Sequence, residues 1–255
     1  MNNSAIGIFD SGMGGLSVRA EIARRLPNES LIYFGDGKNV PYGSRSKEDI
    51  IGFASEAVEF LLSKGVKMVV VACNAATAAA IDHLRAKYDI PIIGMEPAVK
   101  PAALASKRGA IGVLATAAAL RGELFRATAA KYSEQVKIVE TVGEGFVELV
   151  EDDLEDTPEA FQVVKTALEP MLEKGVDHIV LGCTHYPFLI RQIRQVVGER
   201  DVVIVDSAPA IARRVDQLLT EYNLHADEGH LPEYEFHTFA GEQYRQRLVA
   251  KSSKT

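Results

Sequence analysis

Leu62–Cys73 reads LSKGVKMVVVAC, and Leu172–Cys183, 110 residues further on, reads LEKGVDHIVLGC. Six of the twelve positions are identical, and each copy passes from a helix end through Lys-Gly into an apolar run that stops at a cysteine. A Gly closing a helix and a continuous Val/Ile/Leu run after it is the pattern of a strand buried on both faces of a parallel sheet. Such a pattern recurs by itself in any sheet of that kind. Chance does not readily place the chain's only two cysteines in register at the ends of both copies. A second echo supports duplication: Ala5-Ile6-Gly7-Ile8-Phe9 opens the chain and Ala110-Ile111-Gly112-Val113-Leu114 recurs 105 residues later.

Working outward, strand-like runs fall at about 5–9, 31–34, 67–72, 91–94, 110–114, 136–141, 177–181 and 202–205, with helical patterns between most of them. This alternation predicts an α/β fold with mainly parallel sheets. Ser46-Lys47-Glu48-Asp49 resembles a capping box before a helix over 50–63, and Thr157-Pro158-Glu159 sets a cap and then Pro at the first helical position. Pro170 falls inside a helical pattern and is expected to kink it. Pro91, Pro97 and Pro101 bracket one domain crossing, and a second follows Asp206, where Ser207 is expected to cap a helix carrying Pro209. The predicted domains are 1–97 with 208–255, and 98–207. The stretch 234–239 is expected to return a strand and a last helix to the first domain, and Lys251–Thr255 reads as a frayed polar end.

At 255 residues, 47% hydrophobic, the chain can bury a substantial core. A net charge of −7 without a basic cluster argues against a nucleic-acid partner, whose binding draws on phosphate neutralisation. The opening Met1-Asn2-Asn3-Ser4 has no positive charge and no apolar run approaches the roughly 18 residues of a membrane helix, so neither a secretory signal nor membrane contact is expected. The expected compartment is the cytoplasm, where thiols stay reduced. The cysteine spacing suits neither a metal site nor a C-x-x-C pair.

Ligands of parallel sheets bind outside the carboxyl ends of the strands, where helix N-termini point. Four segments belong there: Asp10-Ser11-Gly12-Met13-Gly14-Gly15, Pro41-Tyr42-Gly43-Ser44, Cys73-Asn74-Ala75-Ala76-Thr77 and Gly182-Cys183-Thr184-His185-Tyr186-Pro187. The first competes as a nucleotide loop with Asp36 as a ribose acid, but its frame ends in Ser17 rather than Gly and Asp10 would face a pyrophosphate. An ordinary thiol has a pKa of about 8.5 and needs help to act as a base at neutral pH. His185 stands two residues beyond Cys183, and Asp10 serves Cys73 if the first and third strands are neighbours. If the halves face one another, a ligand between them meets sulfur on both sides, as two-base proton transfer requires.

Ile8–Ser17, Tyr33-Phe34-Gly35-Asp36, Pro41-Tyr42-Gly43, Ala72-Cys73-Asn74 and Leu181–Pro187 together resemble the cofactor-independent aspartate/glutamate racemase family, and within it the glutamate type. The resemblance spans almost the whole chain and is most specific in Gly-Cys-Thr-His-Tyr-Pro. It implies two pseudo-symmetric, doubly wound domains with the active site in the cleft between them, and catalysis without cofactor or metal. Cys73 and Cys183 are then the proton donor/acceptors, assisted by Asp10 and His185. Asp10, Ser11, Pro41, Tyr42, Gly43, Asn74, Ala75, Thr184 and His185 meet the substrate, with Ser44 and Glu151 as further residues of the site. Glu151 lies in an acidic stretch that a solvated helix face explains nearly as well.

The chain departs from the family at Ala75, where Thr usually follows Asn, which removes one hydroxyl from the expected carboxylate contacts. By resemblance the substrate is L- or D-glutamate, the D-isomer feeds peptidoglycan synthesis, and the protein is a homodimer. The chain starts at its first strand, so activation through an N-terminal extension is not expected. Rival readings are a racemase of aspartate or another small amino acid, a noncatalytic binding module with packed cysteines, and a redox switch that would cross-link on mild oxidation.

Overall fold

The computed structural model describes residues 2–254, so Met1 and the Thr255 of the polar end lie outside the described residues. The chain begins β1 (Ile6–Asp10), α1 (Leu16–Arg25), β2 (Leu31–Gly35), α2 (Lys47–Ser63), β3 (Met68–Val71), α3 (Asn74–Lys87), β4 (Ile92–Ile93). It continues α4 (Val99–Ala105), β5 (Ala110–Ala115), α5 (Ala117–Arg121), α6 (Glu123–Tyr132), β6 (Lys137–Val142), α7 (Phe146–Glu151), α8 (Pro158–Leu172), β7 (His178–Gly182), α9 (Ile190–Val197), β8 (Val203–Val205). It closes with α10 (Ala208–Glu221), β9 (Tyr234–His237) and α11 (Glu242–Ser252). Two compact units result: Met1–Met95 with Ala208–Thr255, and Glu96–Ser207.

Among the described residues, the first unit holds a five-stranded sheet ordered β4-β3-β1-β2-β9 and the second a four-stranded sheet ordered β6-β5-β7-β8. Every pairing is parallel. The shared core of both sheets is the same: one central strand, its successor on one side and the third strand on the other. The register is shared as well, since Gly7 sits opposite Val69 on β3 and Gly112 opposite Ile179 on β7. The amide of Lys67 donates to Ala5 O, and that of Asp177 donates to Ala110 O, at matching repeat positions. In the first unit α2 packs on α3, and α1 packs on α10 and α11; in the second α8 packs on α9, and α4 on α6.

Local sequence explains the boundaries. Ser46 accepts the Asp49 amide and Thr157 that of Ala160, so both expected caps form. Helix α8 runs on through Pro170 for two more residues. The polar end is a correction: α11 extends through Ser252 and buries Lys251, because the helix lies against α1 and β9.

The central strands carry glycine where a helix crosses them closely. A Cβ on Gly7 would approach Leu61 and Val66 at 3.2 Å, and one on Gly112 would overlap Met171 Sδ at 2.1 Å. Leu61 and Met171 occupy the same repeat position, so duplication has preserved the contact with a bulkier residue in the second unit. Gly112→Ala is therefore expected to cost about 1–3 kcal/mol, and Gly7→Ala less, by the ordinary scale of overpacking. Urea unfolding midpoints of the two variants check the order.

Candidate active site

In sheets of this order the ligand crevice opens where the chain switches sides, between the central strand and the third one. The first unit places there Asp10-Ser11, leaving β1, and Cys73-Asn74, leaving β3. The second places there Ala115-Thr116 and Cys183-Thr184. Both thiols thus leave the same strand of their own sheet.

Asp10 is buried, and its Oδ2 accepts the Gly12 amide at 2.8 Å. A Cβ on Gly15 would come within 2.7 Å of Asp10 Cβ, so the loop is folded closely over this carboxyl. Tyr33 Oη secures it by donating to Gly12 O at 2.7 Å. The Asp10 carboxyl thus takes the Gly12 N–H that a phosphate at this loop would need, which argues against the nucleotide reading. Asp36, the supposed ribose acid, is likewise engaged: it accepts Tyr42 Oη at 2.6 Å and Asn39 Nδ2 at 2.9 Å.

Cys73, 4% exposed, is the N-cap of α3. Its Sγ accepts the Ala76 amide at 3.4 Å and donates to Ser11 Oγ at 3.6 Å. An N–H at a helix N-terminus favours negative charge on this sulfur. Ser11 stands beside the thiol as the neighbour next to Asp10 in sequence. Asn74 is 4% exposed, yet neither its Nδ2 nor its Oδ1 has a hydrogen-bond partner. A buried carboxamide left unpaired costs about 1–3 kcal/mol, so one donor and one acceptor stand ready for a polar ligand. Ala75 is buried in the first turn of α3.

Tyr42 is buried against Phe9 and Phe53. Burial first, then the charge and hydrogen bond of Asp36, push its hydroxyl far above the ordinary range and keep it neutral; Cys73 and Asp10 add to the push. Its hydroxyl is therefore committed to Asp36. Pro41 and Gly43 beside it are half-buried and Ser44 is exposed.

In the second unit, Cys183 Sγ lies 3.8 Å from His185 Nδ1, and His185 Nε2 lies 2.6 Å from Glu151 Oε1. Burial opposes the imidazolium, but the hydrogen bonds to Cys183 and Glu151 outweigh it and raise His185 well above its ordinary pKa. Glu151 is 8% exposed, which corrects the solvated-face reading: α7 turns this one carboxyl of its acidic stretch inward. Thr184 is buried beside them.

The sequence motif assigns Tyr186 no role, and the structure gives it one in packing. Its ring meets Phe146 edge-on at 5.0 Å and its hydroxyl donates to Gly143 O at 3.3 Å. A Cβ on Gly143 would overlap that hydroxyl at 2.5 Å. Tyr186 thereby ties the start of α7 to the Cys183 loop, which brings Glu151 to His185. Nothing in the sequence signals this pairing except the glycine.

Among the described residues no group of three or more His, Cys, Asp or Glu could hold a metal ion, and no helix is long and apolar enough to cross a membrane.

Comparison with known proteins extends these findings. The profile of the Asp/Glu/Hydantoin racemase family matches residues 13–215. The glutamate racemase of Deinococcus radiodurans is 48% identical over 221 residues, 86% of this chain and 76% of that protein. The structure resembles the glutamate racemase isoform RacE1 from Bacillus anthracis, with a TM-score of 0.89 at 36% identity, covering 100% of this chain and 96% of that one. It also resembles Escherichia coli glutamate racemase, solved with L-glutamate and the activator UDP-MurNAc-Ala, with a TM-score of 0.87 at 32% identity over 98% and 95% of the two chains. This chain belongs to the aspartate/glutamate racemase family of isomerases.

Proposed function

We propose that the protein interconverts L- and D-glutamate by removing the Cα proton to one of Cys73 and Cys183 and delivering a second proton from the other, and so supplies D-glutamate for peptidoglycan synthesis. The observation that carries this reading is the placement of the only two thiols at one repeat position of a duplicated fold, each with polar partners. The names of the similar proteins supply the substrate.

In this mechanism one cysteine starts as thiolate and the other as thiol. The thiolate takes the Cα proton as the C–H bond breaks, and the electron pair remains on carbon, delocalised into the α-carboxylate. The opposite thiol then delivers its own proton to the other face, leaving the charges of the two sulfurs exchanged. Reversibility follows from the equivalence of the two sulfurs. The carbanion is the difficult species, because a Cα–H is far less acidic than a thiol. Buried N–H and amide donors that meet the α-carboxylate are the means of lowering that barrier. A turnover of about 10 per second corresponds to a barrier of roughly 16 kcal/mol.

The roles follow the local chemistry. Asp10 and Ser11 manage the proton of Cys73, while the His185–Glu151 pair manages that of Cys183. Asn74, with its unpaired carboxamide, and Thr184 hold the α-amino and carboxylate groups, and the Pro41–Gly43 loop closes on the same ligand. Ala75 provides no hydroxyl, so affinity rests more heavily on Asn74 and Thr184.

Cys73→Ala and Cys183→Ala are each expected to lose racemisation from both enantiomers by at least about a thousandfold, the usual scale for removing an essential proton-transfer group. Near-wild-type activity in either, or absence of solvent deuterium at Cα of glutamate with folded wild type, overturns the reading. Parallel polarimetry with aspartate separates the glutamate reading from its closest rival.

The pH dependence has a definite sign. A raised His185 pKa keeps the imidazolium at and above neutrality, so its contribution is complete at low pH and is lost as pH rises through the folded-state pKa. Cys183 is the larger of the two groups that raise it and Glu151 the second; Glu151→Gln weakens the second, and the alkaline limb of kcat/KM is expected to begin at lower pH than in wild type. An unchanged limb in pH-rate profiles would separate Glu151 from the proton transfer. Ala75→Thr is expected to lower KM for glutamate, and steady-state assays that find no improvement reject the proposed missing contact.

A further inference from the structure

Asp36 stands outside the proton-transfer groups, yet it is the point on which the candidate ligand loop is hung. Its amide donates to Asp10 O at 3.0 Å, joining it to the end of the central strand. Its carboxylate accepts Tyr42 Oη at 2.6 Å and Asn39 Nδ2 at 2.9 Å, and its carbonyl accepts the amides of Asn39 and Val40 at 3.2 Å. Arg45 Nε reaches back to Asn39 O at 3.3 Å, closing the far side of the loop. The side chain of Asp36 is 3% exposed, and the Tyr42 ring it holds is wedged between Phe9 and Phe53.

From this geometry we infer that Asp36 is a positioning residue for substrate binding, acting through the Tyr42 hydroxyl to fix the Pro41–Gly43 loop against the Asp10 and Cys73 loops. The inference rests on the function proposed above and adds to it a residue that touches no reacting atom. Tyr42 is coupled to both neighbours of the proton path, since Cys73 and Asp10 each bear on its hydroxyl. The tyrosine is thus an anchor: its hydroxyl points to Asp36, and a ligand meets the rest of the loop. A carboxylate suits this task better than a neutral acceptor because a hydrogen bond to a charged group is the stronger kind, and the hydroxyl stays neutral throughout.

The two ends of one hydrogen bond give a direct test. Asp36→Asn and Tyr42→Phe are each expected to raise KM for both enantiomers about tenfold while kcat stays within about twofold, the scale of one charge-assisted hydrogen bond. The double variant is expected to be no worse than the more affected single one, since both changes remove the same interaction. Amide hydrogen exchange of Val40 and of residues 42–45 in ligand-free protein is expected to quicken by about the same factor in both variants. Loss of kcat at unchanged KM, multiplying effects in the double variant, or exchange indistinguishable from wild type overturns the inference. Should Asp36→Asn fail to fold, Tyr42→Phe, which deletes only a buried hydroxyl, carries both readouts. Wild type that does not turn over glutamate rejects the function proposed above, and the exchange comparison still decides whether Asp36 holds the loop.

Discussion

The parallel register between each central strand and its third strand is the constraint on which the site depends. Pairing Phe9 with Val71, and Ala115 with Gly182, ends both strands of each pair at nearly the same height. Their loops then emerge side by side, with helices α3 and α9 leading away beyond the thiols. A one-residue slip would invert every side chain of the strand. Because β1, β3, β5 and β7 are packed on both faces, the slip is resisted by specific fits, such as Leu61 over Gly7 and Met171 over Gly112, that the inverted side chains would break.

Duplication made the frames alike but left the polar partners different. His185 corresponds by repeat position to Ala75, and Asp10 to Ala115. Each thiol has one acid–base neighbourhood, contributed by a different strand in each unit. At Cys73 a helix-start amide and a serine hydroxyl meet the sulfur; at Cys183 a buried imidazole backed by a carboxylate does. The same divergence appears at the opposite ends of the strands. Lys67 pairs with buried Glu29, whereas its counterpart Asp177 collects Ser106, the amides of Lys107 and Arg108, and His178. Burial demands that a charge be satisfied, not which charge it be.

Much of this architecture was legible in the residues for a physical reason. Strands buried on both faces are continuous apolar runs, so β1, β2, β3, β5 and β7 announce themselves within a residue or two of their ends. Ser46 and Thr157 announce their helices by short-range bonding. The cysteines were legible through repetition. Long-range polar pairing was not. Glu151 belongs to a run with Glu144, Glu148 and Asp152, and composition cannot tell which carboxyl turns inward; that depends on how Tyr186 docks at Gly143. The commitment of Tyr42 to Asp36 was equally hidden, since a motif read along the chain does not say where a hydroxyl points. Lys251 misled because a polar end packs when a neighbouring helix covers its stem.

The second unit interrupts the first as one continuous stretch, leaving after Met95 and returning at Ala208, with Ser207 Oγ donating to Glu96 O at 2.6 Å where the two ends of the insert meet. Strand β9 completes the first sheet beside β2, and α10 covers α1. During synthesis from the N-terminus the inserted unit is whole before these last pieces leave the ribosome. The part begun earliest is therefore the one finished latest, and its exposed β2 edge and bare α1 face must wait, unprotected, for about a hundred residues of other protein to be made first.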